Sequence, residues 1–326
     1  MEPLTQTSIL SIQDSSQISV ARRIALEFGR AAGLDEQRSS ALNVVVVELA
    51  NNLLQHAGHG QLYIHYIAPL GALDVTAVDH GKGMTNVDRC LVDGFSTAST
   101  PGLGLGAVRR FARKFGAYSV PSRSTVVTAR MAESKSSPEM SVICTAMDGE
   151  TLSGDGWTVS DDGTTFLVVD GLGHGMFAAD AARIGVETFS RYQTLAPGVI
   201  LERMHAAMRS SRGAAAAVAK IDRAQQRVLF AGIGNISCVV MNSSRTQSMV
   251  SHNGTLGHQV RRVQQFEYTY TPGDLLLMQS DGLSTQSKKG LPDSLFSQPP
   301  MVIAPFIFSE QVRGRDDATL LVNRLD

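Results

Sequence analysis

Phe166-Leu-Val-Val-Asp-Gly-Leu-Gly-His-Gly175 decides how this chain is read. An apolar, β-branched strand pattern runs straight into an acid and three glycines, and a helical pattern, Met176 to Tyr192, follows at once. An ordinary strand-to-helix turn needs one glycine or two. Three around one Asp suggest a backbone pressed against something small and charged, since only Gly tolerates such an approach without a Cβ clash. Asp170, with the Gly171 carbonyl beside it, offers two hard oxygens to a divalent cation. The alternative is an Asp that merely caps the helix.

Three more acids stand in the same kind of place, at a strand end or turn. They are Asp155 in SGDGW, Asp281 in QSDGL and Asp316 in RGRDDATLLV, with Asp317 a second candidate at the last position. Each alone is an ordinary turn Asp. Around them run short β patterns at 141–146, 157–160, 165–169, 214–221, 228–233, 237–241, 264–270, 274–279 and 318–323, with helical stretches at 176–192 and 197–209. Many strands with few helices favour layered sheets over a doubly wound fold.

Upstream the pattern changes. A short strand at 8–11 and an amphipathic helix at 17–30 precede a second helix from Asp35, its cap, to His56. Glu48 and Asn52 lie four apart, on one face of that helix. They read either as a carboxylate and an amide serving Mg²⁺ and a hydroxyl nucleophile, or as a solvated pair. Strand patterns at 61–68 and 73–77 lead into Asp79-His-Gly-Lys-Gly83, where Asp79 could accept from an exocyclic amine while Gly81 and Gly83 let the chain pass a flat ring. Thr100-Pro-Gly-Leu-Gly-Leu-Gly106 then opens a helix carrying Arg109, Arg110, Arg113 and Lys114, an arrangement suited to phosphate. It is neither a Walker loop nor a dinucleotide fingerprint. The Ser-rich, Pro-containing 134–140 is the linker, separating domains at 1–133 and 141–326.

In order and spacing, ExxxN, DxGxG and GLGLG match the N, G1 and G2 boxes of GHKL ATPases. ELANNLLQHAGHGQ, VDHGKGM, DGFSTAS and GLGLGAVRRF resemble the RsbT-like serine/threonine switch kinases of bacterial stress signalling over nearly all of residues 1–130. The resemblance implies that Asn52 holds Mg²⁺, Glu48 activates the attacking hydroxyl, and Asp79 binds the adenine of ATP. It implies too that Gly102, Gly104 and Gly106 wrap the phosphates, with Arg109 or Arg110 nearby. The extra Thr-Pro before the glycine loop departs from the family pattern. The four acids resemble the ordered set of the PPM (type 2C) phosphatases. RGAAAAVAKID, FAGIGNIS, HNGTLG, PGDLLLMQSDGL and RGRDDATLLV resemble the RsbX and SpoIIE branch from residue 141 onward.

That second resemblance implies that Asp155, Asp170, the Gly171 carbonyl, Asp281 and Asp316 hold two divalent ions, Mn²⁺ or Mg²⁺. Such ions sit about 3.5–4 Å apart, where they activate water and bind phosphate. His174 is a candidate acid or a packing residue, and Arg212 a phosphate ligand or a surface side chain. The fold expected is α+β, a GHKL ATPase α/β sandwich followed by a PPM-type αββα sandwich. The function implied is bifunctional, phosphorylating a STAS-domain anti-sigma-factor antagonist or stressosome-type protein and hydrolysing its phosphorylated form. The alternative is a phosphatase whose GHKL domain only binds nucleotide.

A formal net charge of −1 removes any electrostatic case for nucleic acid or a polyanionic surface. Apolar runs such as Val44–Val47 and Leu275–Met278 are too short to span a bilayer, and the N-terminus lacks signal-peptide order. Three scattered cysteines, Cys90, Cys144 and Cys238, argue against a disulfide framework. A cytoplasmic protein is expected, and a homodimer only because the kinase relatives often pair.

Overall fold

Strict alternation builds the first sheet. Strands β1 (Ser8–Ile12), β2 (Gly60–Ile67), β3 (Ala72–Asp79), β4 (Lys114–Val120) and β5 (Ser124–Ala132) pair antiparallel in the order β1-β2-β3-β5-β4. Leu62, Ile64, Leu73, Val75, Val127 and Ala129 point to one face, as period two requires. There they pack on α1 (Ser16–Ala31) and α2 (Glu36–Asn52) through Ala21, Ala25, Leu42, Val45 and Leu49. Asp35 caps α2 as expected, accepting from the Arg38 amide at 2.8 Å. Residues Leu53–Ala57, read as continuing that helix, wind instead as one π-helical turn, a distortion common at functional sites. Helix α3 (Gly104–Phe111) stops before Arg113, and Lys114 opens β4, so neither residue lies on the helix that the sequence suggested.

This computed structural model describes residues 6–87, 104–132, 138–284 and 290–326. Contacts divide the chain into one unit of Met1–Ser137 with Met301–Ser309, and another of Pro138–Pro300 with Glu310–Asp326. The sequence reading placed 301–309 wholly in the second domain and overlooked Met301–Phe308, an apolar run longer than those it cited.

In the first unit the opposite face of the sheet is polar yet buried. Register aligns His65, Asp74 and Arg130 across β2, β3 and β5, and Tyr63, Thr76 and Thr128 one row along. Arg130 grips Asp74 with two hydrogen bonds, of 2.7 and 2.8 Å. Burial alone would raise the Asp74 carboxyl, but Arg130 outweighs it and holds the group well below the usual carboxylate range.

Phe308 meets Tyr63 edge-on at 6.2 Å between centroids, and Phe306 meets Tyr118 at 5.4 Å. Both phenylalanines lie on α6 (Pro300–Gln311), which contains Pro305. Proline has no amide to give the Met301 carbonyl four residues back. Thr128 Oγ1 donates to that carbonyl instead, at 3.0 Å.

The second unit has two antiparallel five-stranded sheets among the described residues. One runs β15-β10-β9-β8-β7, from Phe266–Thr269, Arg227–Ile233, Ala214–Asp222, Thr165–Gly171 and Asp155–Val159. The other runs β12-β11-β16-β17-β6, from Thr246–Ser248, Ser237–Met241, Leu275–Gln279, Ala318–Arg324 and Met140–Thr145. Helices α4 (Met176–Tyr192) and α5 (Pro197–Ala207) cover the first, meeting Leu167, Val169, Ala216 and Val218 through Ala181, Phe189, Ile200 and Met204. No helix among the described residues is long and apolar enough to cross a membrane.

Replacing Arg130 with Ala leaves Asp74 charged and buried, and is expected to cost about 3–5 kcal/mol at neutral pH. Because folding lowers the Asp74 pKa, the pair stabilises fully above the ordinary carboxylate range and fades only as pH falls from that range to the depressed folded value, whereas a carboxyl buried without Arg130 is relieved by protonation at higher pH. Denaturant melts at pH 7 and pH 4 check this: the deficit of the variant should shrink in acid. A fragment ending at Ser137 lacks Met301–Ser309, and is expected to bind the apolar-surface dye ANS and aggregate. A well-folded, dye-silent fragment would contradict the packing described.

Candidate functional site

The ATPase-type residues gather around the C-terminal end of α2. Glu48 and Asn52, one turn apart, are both half-buried, and Glu48 Oε2 accepts from the Gly104 amide at 3.0 Å. The carboxylate thus meets the first turn of α3, where unpaired amides attract anions. Asn52 Nδ2 is buried without a hydrogen-bond partner among the described residues. Asp79 ends β3, and its Oδ1 accepts from Gly81 N at 2.9 Å. Burial, opposed by that amide, raises its pKa.

Gly81 and Gly83 are needed here by the protein's own packing. A Cβ on Gly81 would lie 2.9 Å from Ala57 Cβ, and one on Gly83 2.9 Å from Pro121 Cα. Gly106 is buried in α3 and Arg109 is exposed on it. Gly102, the Thr100-Pro step and DGFSTAS lie outside the described residues.

The second group of acids is tighter. Asp155 and Asp170 are directly paired residues of β7 and β8. Asp281 follows β16, and Asp316 and Asp317 precede β17, so adjacent strands β16 and β17 deliver their acids to one end. Burial foremost, then Asp155, Asp281, Asp316 and Asp317, pushes Asp170 up to about 9. Burial likewise pushes Asp155 up to about 7, against help from Ser280 and Thr319. Asp317 is the buried member of the final pair, 3% exposed, with Oδ1 accepting from Met147 N at 2.9 Å. Asp316 is exposed and accepts from Asp317 N at 2.9 Å. Both acids of that pair act on Asp170.

These residues suit hard divalent cations. Asp155 Oδ1 and Asp317 Oδ2 are buried oxygens without a hydrogen-bond partner within 3.5 Å among the described residues, and the donor set is entirely oxygen. Among the described residues no three acid, His or Cys side chains meet at one point.

At Gly171 the protein's own packing already demands a glycine. A Cβ on Gly171 would collide with the Ala178 carbonyl at the start of α4. Gly173 adopts φ +88°, the left-handed region that favours glycine. Gly282, which sequence reasoning passed over, lets the Asp281 turn touch the Asp317 carbonyl.

Two orienting residues were missed as well. Ser280 Oγ donates to Asp155 Oδ2 at 2.6 Å, and Asn235 Nδ2 donates to Asp281 Oδ2 at 2.7 Å. Their only signal was position, beside Asp281 and within GIGNIS. His174 is exposed, with Nδ1 2.8 Å from Glu150 Oε1, and is not a packing residue.

Comparison with known proteins agrees with this division. Residues 160–326 match the family model of Stage II sporulation protein E (SpoIIE), and residues 13–131 match the histidine kinase-like ATPase domain. The serine/threonine-protein kinase RsbT of Bacillus subtilis (strain 168) is 29% identical over 128 residues, covering 39% of this chain and 96% of RsbT. The phosphoserine phosphatase RsbX of the same organism is 25% identical over 140 residues, covering 42% of this chain and 70% of RsbX. The crystal structure of RsbX in complex with magnesium superposes with a TM-score of 0.52 at 22% identity, over 57% of this chain and 94% of that one. It shares the fold.

Since folding lifts the Asp170 pKa to about 9, the metal-free chain loses stability as pH rises from the ordinary carboxylate range through that value. Asp170→Asn removes the repulsion, and at pH 8 is expected to stabilise the metal-free chain by roughly 1–3 kcal/mol. Thermal shift assays check this: Mn²⁺ should raise the melting point of the native chain and leave the variant unmoved. A variant that melts lower without metal would contradict the account. Strand-borne acids from both sheets of the second unit and the match over its C-terminal half make this chain a member of the SpoIIE family, a PPM serine/threonine phosphatase domain fused behind an RsbT-related, histidine kinase-like ATPase domain.

Proposed function

We propose that the chain is a bifunctional partner-switching regulator. Its ATPase domain transfers phosphate from ATP to a Ser or Thr of a STAS-domain protein, an anti-sigma-factor antagonist or stressosome-type partner. Its phosphatase domain hydrolyses the phosphorylated form, and both act in the cytoplasm. One observation carries the reading: a carboxylate-amide pair facing a glycine-led helix, and a set of acids that act on one another's charge, occur in one chain. The similarity to RsbT and RsbX supports it.

In the kinase half, Glu48 accepts the proton of the attacking hydroxyl. Asn52 holds Mg²⁺, Asp79 takes the exocyclic amine of adenine, and Gly102, Gly104 and Gly106, with Arg109, receive the phosphates. In the phosphatase half, Asp155, Asp170, the Gly171 carbonyl, Asp281 and Asp316 hold two Mn²⁺ or Mg²⁺ ions. When bound, such ions activate water near neutral pH and neutralise phosphate charge. Ser280 and Asn235 fix the rotamers of Asp155 and Asp281, and Asp317 anchors the last turn through Met147. No covalent nucleophile is needed.

The second reading makes the ATPase domain a nucleotide-dependent binding module only. The hydrogen bond from Gly104 N to Glu48 favours it, because it commits Oε2 of that carboxylate to anchoring the helix.

Full-length protein must be used to decide, since the first unit includes 301–309. Incubated with labelled ATP and a STAS-domain protein, Asp281→Asn is expected to accumulate label on the partner, and the doubly substituted Glu48→Gln, Asp281→Asn chain to accumulate at least about 100-fold less. ATP binding without label transfer would support the second reading.

A further inference from the structure

The metal turn carries a surface that catalysis does not explain. Leu172, Met176 and Phe177 are 57%, 62% and 57% exposed, within a few residues of Asp170. Large apolar side chains grouped on one exposed turn mark a contact surface more often than chance. Beside them stands Arg212. Its guanidinium carbon lies 5.0 Å from the centroid of the Phe177 ring, a cation–π arrangement. Its Nη1 lies 3.0 Å from where a Cβ on Gly173 would be, so the head touches the metal turn itself.

The placement of Arg212 is fixed from behind. His258 Nε2 is 2.9 Å from the Arg212 carbonyl, and Leu172 N donates to the neighbouring Gly213 carbonyl at 2.9 Å. Arg183, across the same pocket of about 410 Å³, is already paired with Asp180 and Glu187. The head of Arg212 is exposed and pairs with no carboxylate among the described residues. An aromatic ring holds it, and a guanidinium so held suits a planar or tetrahedral oxyanion.

We propose that Arg212 and the Leu172–Met176–Phe177 surface form the docking platform for the phosphoprotein substrate. The occupant is a phosphoserine or phosphothreonine segment with an apolar side chain next to the phosphorylated residue. Arg212 takes the phosphate oxygens on the approach to the acids, and Met176 and Phe177 take the flanking apolar group. Two features select this occupant: an unpaired cation that complements phosphate, and continuity of the apolar surface with the turn that bears Asp170. The proposal rests on the phosphatase half of the function proposed above and adds what that half recognises.

Steady-state kinetics on the full-length protein with Mn²⁺ test it. The substrates are p-nitrophenyl phosphate and two phosphoserine peptides that differ only in Leu or Gly beside the phosphoserine. Native protein is expected to show a KM about tenfold lower for the Leu peptide. The doubly substituted Met176→Ser, Phe177→Ser chain should lose that preference and show the same KM for both peptides, whatever the loss of the ring beneath Arg212 does to all three substrates alike. Arg212→Ala should raise KM for every substrate, and weaken inhibition by inorganic phosphate, by about tenfold or more with kcat changed far less. Arg212→Lys should recover part of the loss.

A native enzyme indifferent to Leu against Gly overturns the platform, as does a preference that survives the double substitution. An unchanged KM in Arg212→Ala overturns the role of the arginine. Unaltered melting temperatures keep these outcomes from being folding defects. If native protein hydrolysed none of the substrates with Mn²⁺, the phosphatase reading and the platform would fall together, an outcome distinct from hydrolysis without preference.

Discussion

Like charges brought together from two sheets are the constraint around which the second unit is built. Asp155 and Asp170 face each other across a strand pair, and Asp281, Asp316 and Asp317 bear on the same spot. Burial foremost, then the neighbouring carboxylates, lifts the proton affinity of Asp155 and Asp170. A fold that tolerates this cost has reason to if a doubly charged ion is its intended occupant. The surrounding hydrogen bonds serve the same end. Ser280 and Asn235 orient acids, and the collisions that Cβ atoms would cause at Gly171 and Gly282 show how closely helix and turns crowd them.

The first unit solves a different problem. One face of its sheet is covered by two helices in the ordinary way, and the other carries a buried polar row that needs exact pairing. Arg130 satisfies Asp74, and Thr76 and Thr128 share a hydrogen bond of 3.0 Å. Thr128 then supplies the donor that Pro305 withholds from Met301. The chain therefore passes Asp281, gives Met301–Ser309 to the ATPase unit, and returns to deliver Asp316. The two halves of the sequence are less separable than a Ser-rich linker at 134–140 suggests.

Much of this was legible beforehand, for physical reasons. Strands such as Ala214–Asp222 and Ser237–Met241 announce themselves through apolar residues bounded by turn glycines, and α4 begins where its sequence pattern does. The acids were found because each follows or precedes such a strand. What escaped notice has causes too. Helix α6 is apolar on all sides, so no 3.6-residue period reveals it, and Pro305 argues against a helix altogether. Ser280 and Asn235 act through contacts across the fold, which spacing along the chain does not encode. The triple glycine was read as room for a ligand, yet the room at Gly171 is taken by α4. Backbone crowding looks the same in sequence whatever causes it.

The claim on which the account stands is that these carboxylates close on divalent ions. Anomalous diffraction from crystals soaked in manganese tests it most directly. The account predicts two strong manganese peaks, with oxygens of Asp155, Asp170, Asp281, Asp316 and the Gly171 carbonyl as their protein ligands. Side chains left apart with no manganese between them would contradict it.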